Sequence, residues 1–143
     1  LDWKHTKEHL FRAVMEGISY EYAYYLDVLK KLYPQNAFGN LYGIGGGANS
    51  ELFLKIKADV LGVNVTSFQT GDTALIGSAV IAGVGAGAIT DYRSVIQNSM
   101  IARMELPYNE RTHCQYMPYV KTYLETIDAL TSIYQSQIYN KVD

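Results

Sequence analysis

Apolar residues return every three or four positions along the first third of the chain. Leu10, Val14, Ile18, Tyr22, Tyr25, Leu29 and Leu32 form one stripe of a 3.6-residue period, which predicts a long amphipathic helix, and such a stripe ordinarily faces a core. Thr6 stands where an N-cap is needed, with Glu8 in the first turn, and Pro34 followed by Gln35 and Asn36 stops the helix. At about 27 residues it would run roughly 40 Å. A short apolar piece, 41–44, then leads into Gly45, Gly46 and Gly47. Ser50 to Leu61 reads as a second helix with Leu52, Phe53, Ile56, Val60 and Leu61 on one side, and Gly62 is a natural stop. Val63, Val65 and Ser67 to Phe68 read as a strand. Strand, glycine turn, helix and strand in that order make an α/β unit.

From Thr73 to Thr90 the chain carries no charged residue, a length that raises the question of a membrane span. Gly and Ala dominate it, Asp72 and Asp91 flank it, and no Lys or Arg anchors either end. It reads as a small-residue helix buried inside a globular domain, with no membrane partner. A short helix over 92–97 and an extended stretch over 101–106 follow, ended by Pro107. The last predicted element is a long amphipathic helix whose face carries Tyr116, Tyr119, Val120, Tyr123, Ile127, Leu130, Ile133 or Tyr134, and Ile138. Two strands are clear, among four or five helices. With no internal repeat or linker, 1–143 reads as a single domain.

Composition narrows the function classes. The 143 residues are 48% hydrophobic and 18% charged, which fits a folded chain and rules out a disordered one. Twelve Lys and Arg against 14 Asp and Glu give a net charge of -2, so the basic excess of an electrostatic nucleic-acid binder is missing. One cysteine, Cys114, excludes an intrachain disulfide framework and suits a reducing, cytoplasmic setting. Thirteen tyrosines, with Tyr20, Tyr22, Tyr24 and Tyr25 in one run, lack the interleaved cations of a nucleic-acid platform. They read as rings packed inward with hydroxyls at the wet edge. The chain opens on Leu1 rather than Met and reads as a fragment.

Most of the motifs are weak. His5-Thr6-Lys7-Glu8-His9 has the H-x-x-E-H order of some zinc proteases, but it straddles a helix entrance, and solvated histidines there are the better reading. His113 beside Cys114 is adjacency in sequence only. Asn64-Val65-Thr66 spells a glycosylation sequon, of consequence only in a secreted protein. The glycine cluster Gly43-Ile44-Gly45-Gly46-Gly47-Ala48 is more informative, since it runs straight into a helix. Amides without side chains in the way can approach a phosphate closely, and a helix N-terminus favours the anion. A Walker A loop is excluded, because Ala48 and Asn49 stand where Lys and Ser or Thr are required. A dinucleotide fingerprint is disfavoured too, because the second strand ends on Phe68, Gln69 and Thr70 without an acidic residue.

Residues 43–63, GIGGGANSELFLKIKADVLGV, resemble the C-terminal part of the FGGY carbohydrate kinases: a Gly-Gly-Gly-Ala turn, a helix, then Ala-Asp-Val-Leu-Gly and a strand. Two more blocks agree in order and spacing. His9 to Gly17 looks like the family's H-L-x-R-A-x-x-E-G helix, and Gly71-Asp72-Thr73-Ala74 with Gly77-Ser78-Ala79 looks like its E-x-A-A-x-G-A-A helix. The tail from Tyr108 through His113, Tyr116 and Tyr123 follows the family's aromatic last helix. Glu21-Tyr22 and Tyr24-Tyr25-Leu26 lean toward the xylulokinase-like branch rather than glycerol kinase.

The resemblance implies a helix-rich α/β fragment of an actin-like, ribonuclease H-like ATPase domain, truncated on its N-terminal side. The complete enzyme would transfer the γ-phosphoryl of MgATP to a sugar hydroxyl, a pentulose such as xylulose being favoured. Gly46 and Gly47 would bring backbone amides to the α-phosphate, Ala48 would sit under the adenine, and Glu51 would face its edge. Asp59 is read as structural, bonding backbone nearby. The small-residue helix would pack behind the turn. The catalytic Asp, the Mg²⁺ ligands and most sugar contacts would lie in the missing N-terminal kinase domain, leaving this fragment inactive alone. Apolar surface exposed by truncation would allow self-association as a homo-oligomer. The alternative is a non-catalytic nucleotide-binding module of the same fold.

Overall fold

The computed structural model describes residues 2–69 and 72–139, with side chains as far as 135. Thr70 and Gly71, and with them one end of the third resemblance block, lie outside the described residues, as does the side chain of Ile138. The chain forms two compact units, one of Leu1–Ala37, Asp59–Gly62 and Asn109–Asp143, the other of Phe38–Ala58 and Val63–Tyr108.

The strand unit is built on a three-stranded sheet. Strand β1 (Asn40–Gly43) runs parallel to β2 (Asn64–Phe68), with Asn40 beside Asn64 and Gly43 beside Ser67. A 3-10 turn, Gly46–Asn49, and helix α2 (Glu51–Leu61) connect them. The third strand, β3 (Ala102–Leu106), is antiparallel to β2 with an irregularity at Ser67 and Phe68. The order is β1-β2-β3. The stretch over 101–106 thus adds a third strand to the two the pattern made clear. Val65 and Ser67 alternate inward from β2 while Asn64, Thr66 and Phe68 face the other way. Leu54, Ala58 and Val65 form the core of this unit, with Leu41, Ala48, Met104 and Leu106 against it. The α2 face matches the expected one at Ile56, Val60 and Leu61, all buried, and departs from it at the start, where Leu54 is 1% exposed and Leu52 50%.

Helix α3 (Thr73–Gly85) is capped by Asp72, whose carboxylate accepts from Leu75 N at 3.0 Å. It ends earlier than the uncharged run suggested. Ile89 folds back so closely over Gly83 that a Cβ there would lie 2.5 Å from Ile89 Cδ1, and the Gly83 carbonyl accepts from both Ala88 N and Ile89 N. The helix is also not buried: Val80 alone among its described residues is, and Leu75, Ile81 and Val84 are exposed. It packs against α4 (Tyr92–Ser99) rather than behind the glycine turn. A run of small side chains permits close packing but does not compel it, and among the described residues much of the helix's apolar surface stays exposed.

The helical unit pairs α1 (Lys7–Leu32) with α5 (Glu110–Tyr139). Its length and limits match the periodicity, with Thr6 preceding the helix and His9 Nδ1 accepting from Thr6 N at 3.2 Å. The face does not. Leu10, Val14, Ile18, Tyr22, Tyr25, Leu29 and Leu32 are all exposed, and the buried residues are Ser19 and Leu26. Tyr24 is exposed with them, while Tyr20 is half-buried. On α5, Tyr116 and Val120 are buried, and Tyr123 and Ile127 half-buried, but Tyr119, Leu130, Ile133 and Tyr134 face out. The inward side of α1 runs through Arg12, Glu16, Ser19, Tyr20, Ala23 and Leu26, a second set at helical spacing. Polar bonds select it. Arg12 Nη2 donates to the Tyr116 hydroxyl at 2.9 Å and its Nε to Glu16 at 2.8 Å, and Tyr116 donates to the same carboxylate at 2.9 Å. Two turns further along α5, the Tyr123 hydroxyl donates to Glu21.

Candidate functional site

The glycine turn leaves the carboxyl end of β1, where ligands of open α/β sheets collect. Gly45 has φ +76° and ψ −172°, a backbone that a side chain resists. That residue swings the chain out of the strand and into the 3-10 turn, closed by Ala48 N donating to Gly45 O at 3.0 Å. Cβ atoms on Gly45 or Gly46 would meet nothing within 4 Å, so the backbone there is open to anything that approaches. Gly47 is different: a Cβ would come to 3.4 Å from the Phe53 ring. Ser50 then caps α2 with its hydroxyl, which accepts from Phe53 N at 3.3 Å.

The four residues singled out in the sequence are thus brought into one short arc, though not on equal terms. Gly46 and Gly47 open the 3-10 turn, where the first amides of a helical segment have no partner within it. Ala48 is half-buried, and its methyl packs toward the Leu54, Ala58 and Val65 cluster. Glu51 is exposed in the first turn of α2, where the helix field favours its charge. Three neighbours escaped the sequence reading. Phe53 backs Gly47, and Lys57 Nζ sits 4.2 Å from the centre of its ring. Burial holds the Lys57 amine below the usual lysine range. Arg103 of β3 donates to Asn49 Oδ1 at 2.6 Å. The spacing of Gly47 and Phe53, one turn into a helix, was a signal available in the sequence; the Arg103 contact, 54 residues away, was not.

Other candidates fall elsewhere. His5 and His9 stand edge-on with ring centres 5.7 Å apart, but His5 Nδ1 accepts from Asp2 N at 2.9 Å and His9 Nδ1 from Thr6 N. Among the described residues no three His, Cys, Asp or Glu converge as a metal-binding group. His113 donates through Nδ1 to the Asp59 carbonyl at 2.9 Å, and Cys114 beside it is exposed. Asp59 is structural, as the sequence suggested: it is 6% exposed and its carboxylate accepts from Asn109 N at 2.7 Å, fixing the start of α5. Asn64 of the sequon accepts from Tyr108 N through its side chain at 3.3 Å. A hollow of about 290 Å³ in the helical unit is lined by residues such as Leu26, Val60, Met117 and Val120, and by none of the glycine turn. No helix among the described residues is long and apolar enough to cross a membrane.

Residues 1–86 match the model of the FGGY family of carbohydrate kinases, C-terminal domain. The chain belongs to this family. A xylulose kinase from Staphylococcus epidermidis is 26% identical to it over 120 residues, covering 84% of this chain and 24% of that protein. A glycerol kinase from Citrifermentans bemidjiense is 34% identical over 108 residues, covering 74% of this chain and 21% of the relative. The chain thus spans about a quarter of the length of the first of these relatives. The crystal structure of the xylulose kinase from Rhodospirillum rubrum superposes with a TM-score of 0.74 over 94% of this chain and 27% of its own, at 20% identity. The fold is therefore the helix-rich α/β, actin-like fold of FGGY kinases. In that setting the Arg12 and Glu16 of the R-A-x-x-E motif have a physical role here, as the two partners of Tyr116.

Proposed function

We propose that this FGGY domain forms the adenosine-binding side of an ATP-dependent sugar kinase. The complete enzyme transfers the γ-phosphoryl of MgATP to a sugar hydroxyl, with a pentulose such as xylulose as the favoured acceptor. The observation that carries the reading is the glycine turn at the carboxyl end of β1, open at Gly45 and Gly46 and followed directly by α2, inside the family-matched segment. On this reading the amides of Gly46 and Gly47 approach the α-phosphate, Ala48 lies under the adenine and Glu51 faces its edge. The half-buried methyl of Ala48 supports a small residue at that place, since it already packs on the unit's core.

Phosphoryl transfer needs positioning and charge stabilisation more than covalent help from the protein. These residues orient the nucleotide and supply neither base nor metal ligand. The catalytic Asp and the residues holding Mg²⁺ then belong to the remainder of the enzyme, so the 143 residues alone turn over nothing. On this reading the reaction takes place in the cytoplasm, where MgATP is available.

The test is ADP release by the complete enzyme with MgATP across pentuloses, hexuloses, aldoses and glycerol. Turnover with a pentulose is expected. ATP binding without turnover on any acceptor would replace the kinase with a non-catalytic nucleotide module. Turnover confined to glycerol would overturn the choice of acceptor.

A further inference from the structure

In the strand unit, β3 does more than widen the sheet. It runs antiparallel to β2, so its first residues lie at the same end of the sheet as the last residues of β2 and, across the parallel pair, of β1. That end is where the glycine turn leaves. Arg103, second residue of β3, uses this placement to reach Asn49, the last residue of the 3-10 turn, with Nη1 to Oδ1 at 2.6 Å. The strand's far end is tied as well, through Lys55 Nζ donating to the Pro107 carbonyl at 2.9 Å. Antiparallel β3 therefore clasps the turn and α2 at two points.

The contact at Asn49 matters because of what surrounds it. Cβ atoms on Gly45 and Gly46 would meet nothing within 4 Å, so the backbone is accessible there and glycine itself restrains it little. Ser50, the next residue, caps α2. Asn49 is thus the joint between the glycine arc and helix α2. A guanidinium on a side-chain amide oxygen is a charge-assisted bond with a fixed direction, suited to setting where that joint sits.

We infer that Arg103 is a positioning residue for the nucleotide turn, acting through Asn49 to hold Gly46 and Gly47 in their binding geometry. This rests on the reading of the turn as a nucleotide site. Because the turn meets the part of ATP that does not change during transfer, loosening it weakens nucleotide binding uniformly and leaves the chemical step alone.

The experiment uses the complete enzyme with Arg103→Ala, Asn49→Ala and the double variant, measuring KM for MgATP, KM for the sugar and kcat. Each single variant is expected to raise KM for MgATP about fivefold, the scale of one hydrogen bond, with kcat and sugar KM within about twofold. The double variant is expected to be no worse than either single one, because both changes remove the same bond. An unchanged MgATP KM in Arg103→Ala overturns the inference. So does a loss in Arg103→Ala that Asn49→Ala does not share, which would mean that the cation touches the nucleotide directly. A fall in kcat without a change in KM overturns it too. Failure of the underlying reading looks different: the unaltered enzyme would then neither bind ATP nor release ADP with any acceptor.

Discussion

The two units of this chain bury different things. In the strand unit the buried set is apolar apart from Ser67, with Leu54, Ala58 and Val65 at its centre, and the glycine turn opens at its rim. In the helical unit a polar network lies against the core: Arg12, Glu16 and Tyr116 bond one another, Glu21 takes the Tyr123 hydroxyl, and Ser19, fully buried, donates to the Met15 carbonyl at 2.8 Å. Meanwhile all seven residues of the apolar stripe on the same helix are exposed. Apolar burial is non-directional and follows area, so the strand unit gains from any good fit. A hydrogen-bonded pair of helices is held to one rotation about the α1 axis, because each hydroxyl and carboxylate needs its particular partner.

The contrast predicts unequal costs. Leu54, 1% exposed at the centre of the strand unit, should be the most expensive side chain to truncate. Leu54→Ala is expected to destabilise by about 2–5 kcal/mol through lost transfer energy and the cavity left behind, read from urea or thermal unfolding. A loss below about 1 kcal/mol would mean that this core is loosely packed.

Asp59 tests the other unit. It is 6% exposed, and its carboxylate receives the Asn109 amide at 2.7 Å, where Asn109 in turn accepts from Thr112 N at 3.0 Å to cap α5. Asp59→Ala removes the part-buried bond to the Asn109 amide, for about 1 kcal/mol. Loss of helical circular dichroism on heating, at a lower temperature than in the unaltered protein, is the expected signature. No shift in melting would show that the start of α5 is held by other contacts.

Periodicity placed α1 nearly to the residue and marked α5 as a long helix without fixing its start, and the order of strand, glycine turn, helix and strand was legible as well. The α1 face was not, for a definite reason. Residues 10, 14, 18, 22, 25, 29 and 32 and residues 12, 16, 19, 23 and 26 are both helical stripes, and hydropathy prefers the first. Only the hydroxyls of Tyr116 and Tyr123 on α5, about a hundred residues away, reveal why the second turns inward. At the candidate site the glycines were plain, since no other residue tolerates the Gly45 backbone. Arg103 was hidden because its value comes from antiparallel pairing with β2, a property of the sheet rather than of the segment.

The polar seam also carries a pH signature. The Tyr123 hydroxyl is pushed up to about 12, first by its bond to Glu21 and then by burial, and Tyr20 rises to about 12 chiefly through burial. Both exceed the usual tyrosine value near 10. Between those limits the folded chain keeps protons that the unfolded chain has lost, so stability falls as pH rises. It should be intact below about pH 10 and drain away between there and about 12. Tyr123→Phe should lower the stability at neutral pH modestly and flatten part of the alkaline decline. An identical decline in that variant would put the titration in other groups.

The smallest expected effect is the most direct test of the comparison. Leu10→Ser and Val14→Ser change two residues of the stripe that hydropathy marks as core, yet they are 48% and 62% exposed in the chain. Exposed substitutions away from caps and networks fall within about 0.5 kcal/mol, so unfolding of the 143-residue chain should barely notice either one. Arg12→Met on the facing stripe removes the partner of Tyr116 and Glu16 and should cost more, about 1 kcal/mol, although it makes the helix more hydrophobic. The ranking is what matters, because an inward-facing apolar stripe predicts its reverse. If the two serine variants prove the costlier, α1 is rotated from the orientation described, and the tyrosine–carboxylate bonds cannot be what holds it to α5.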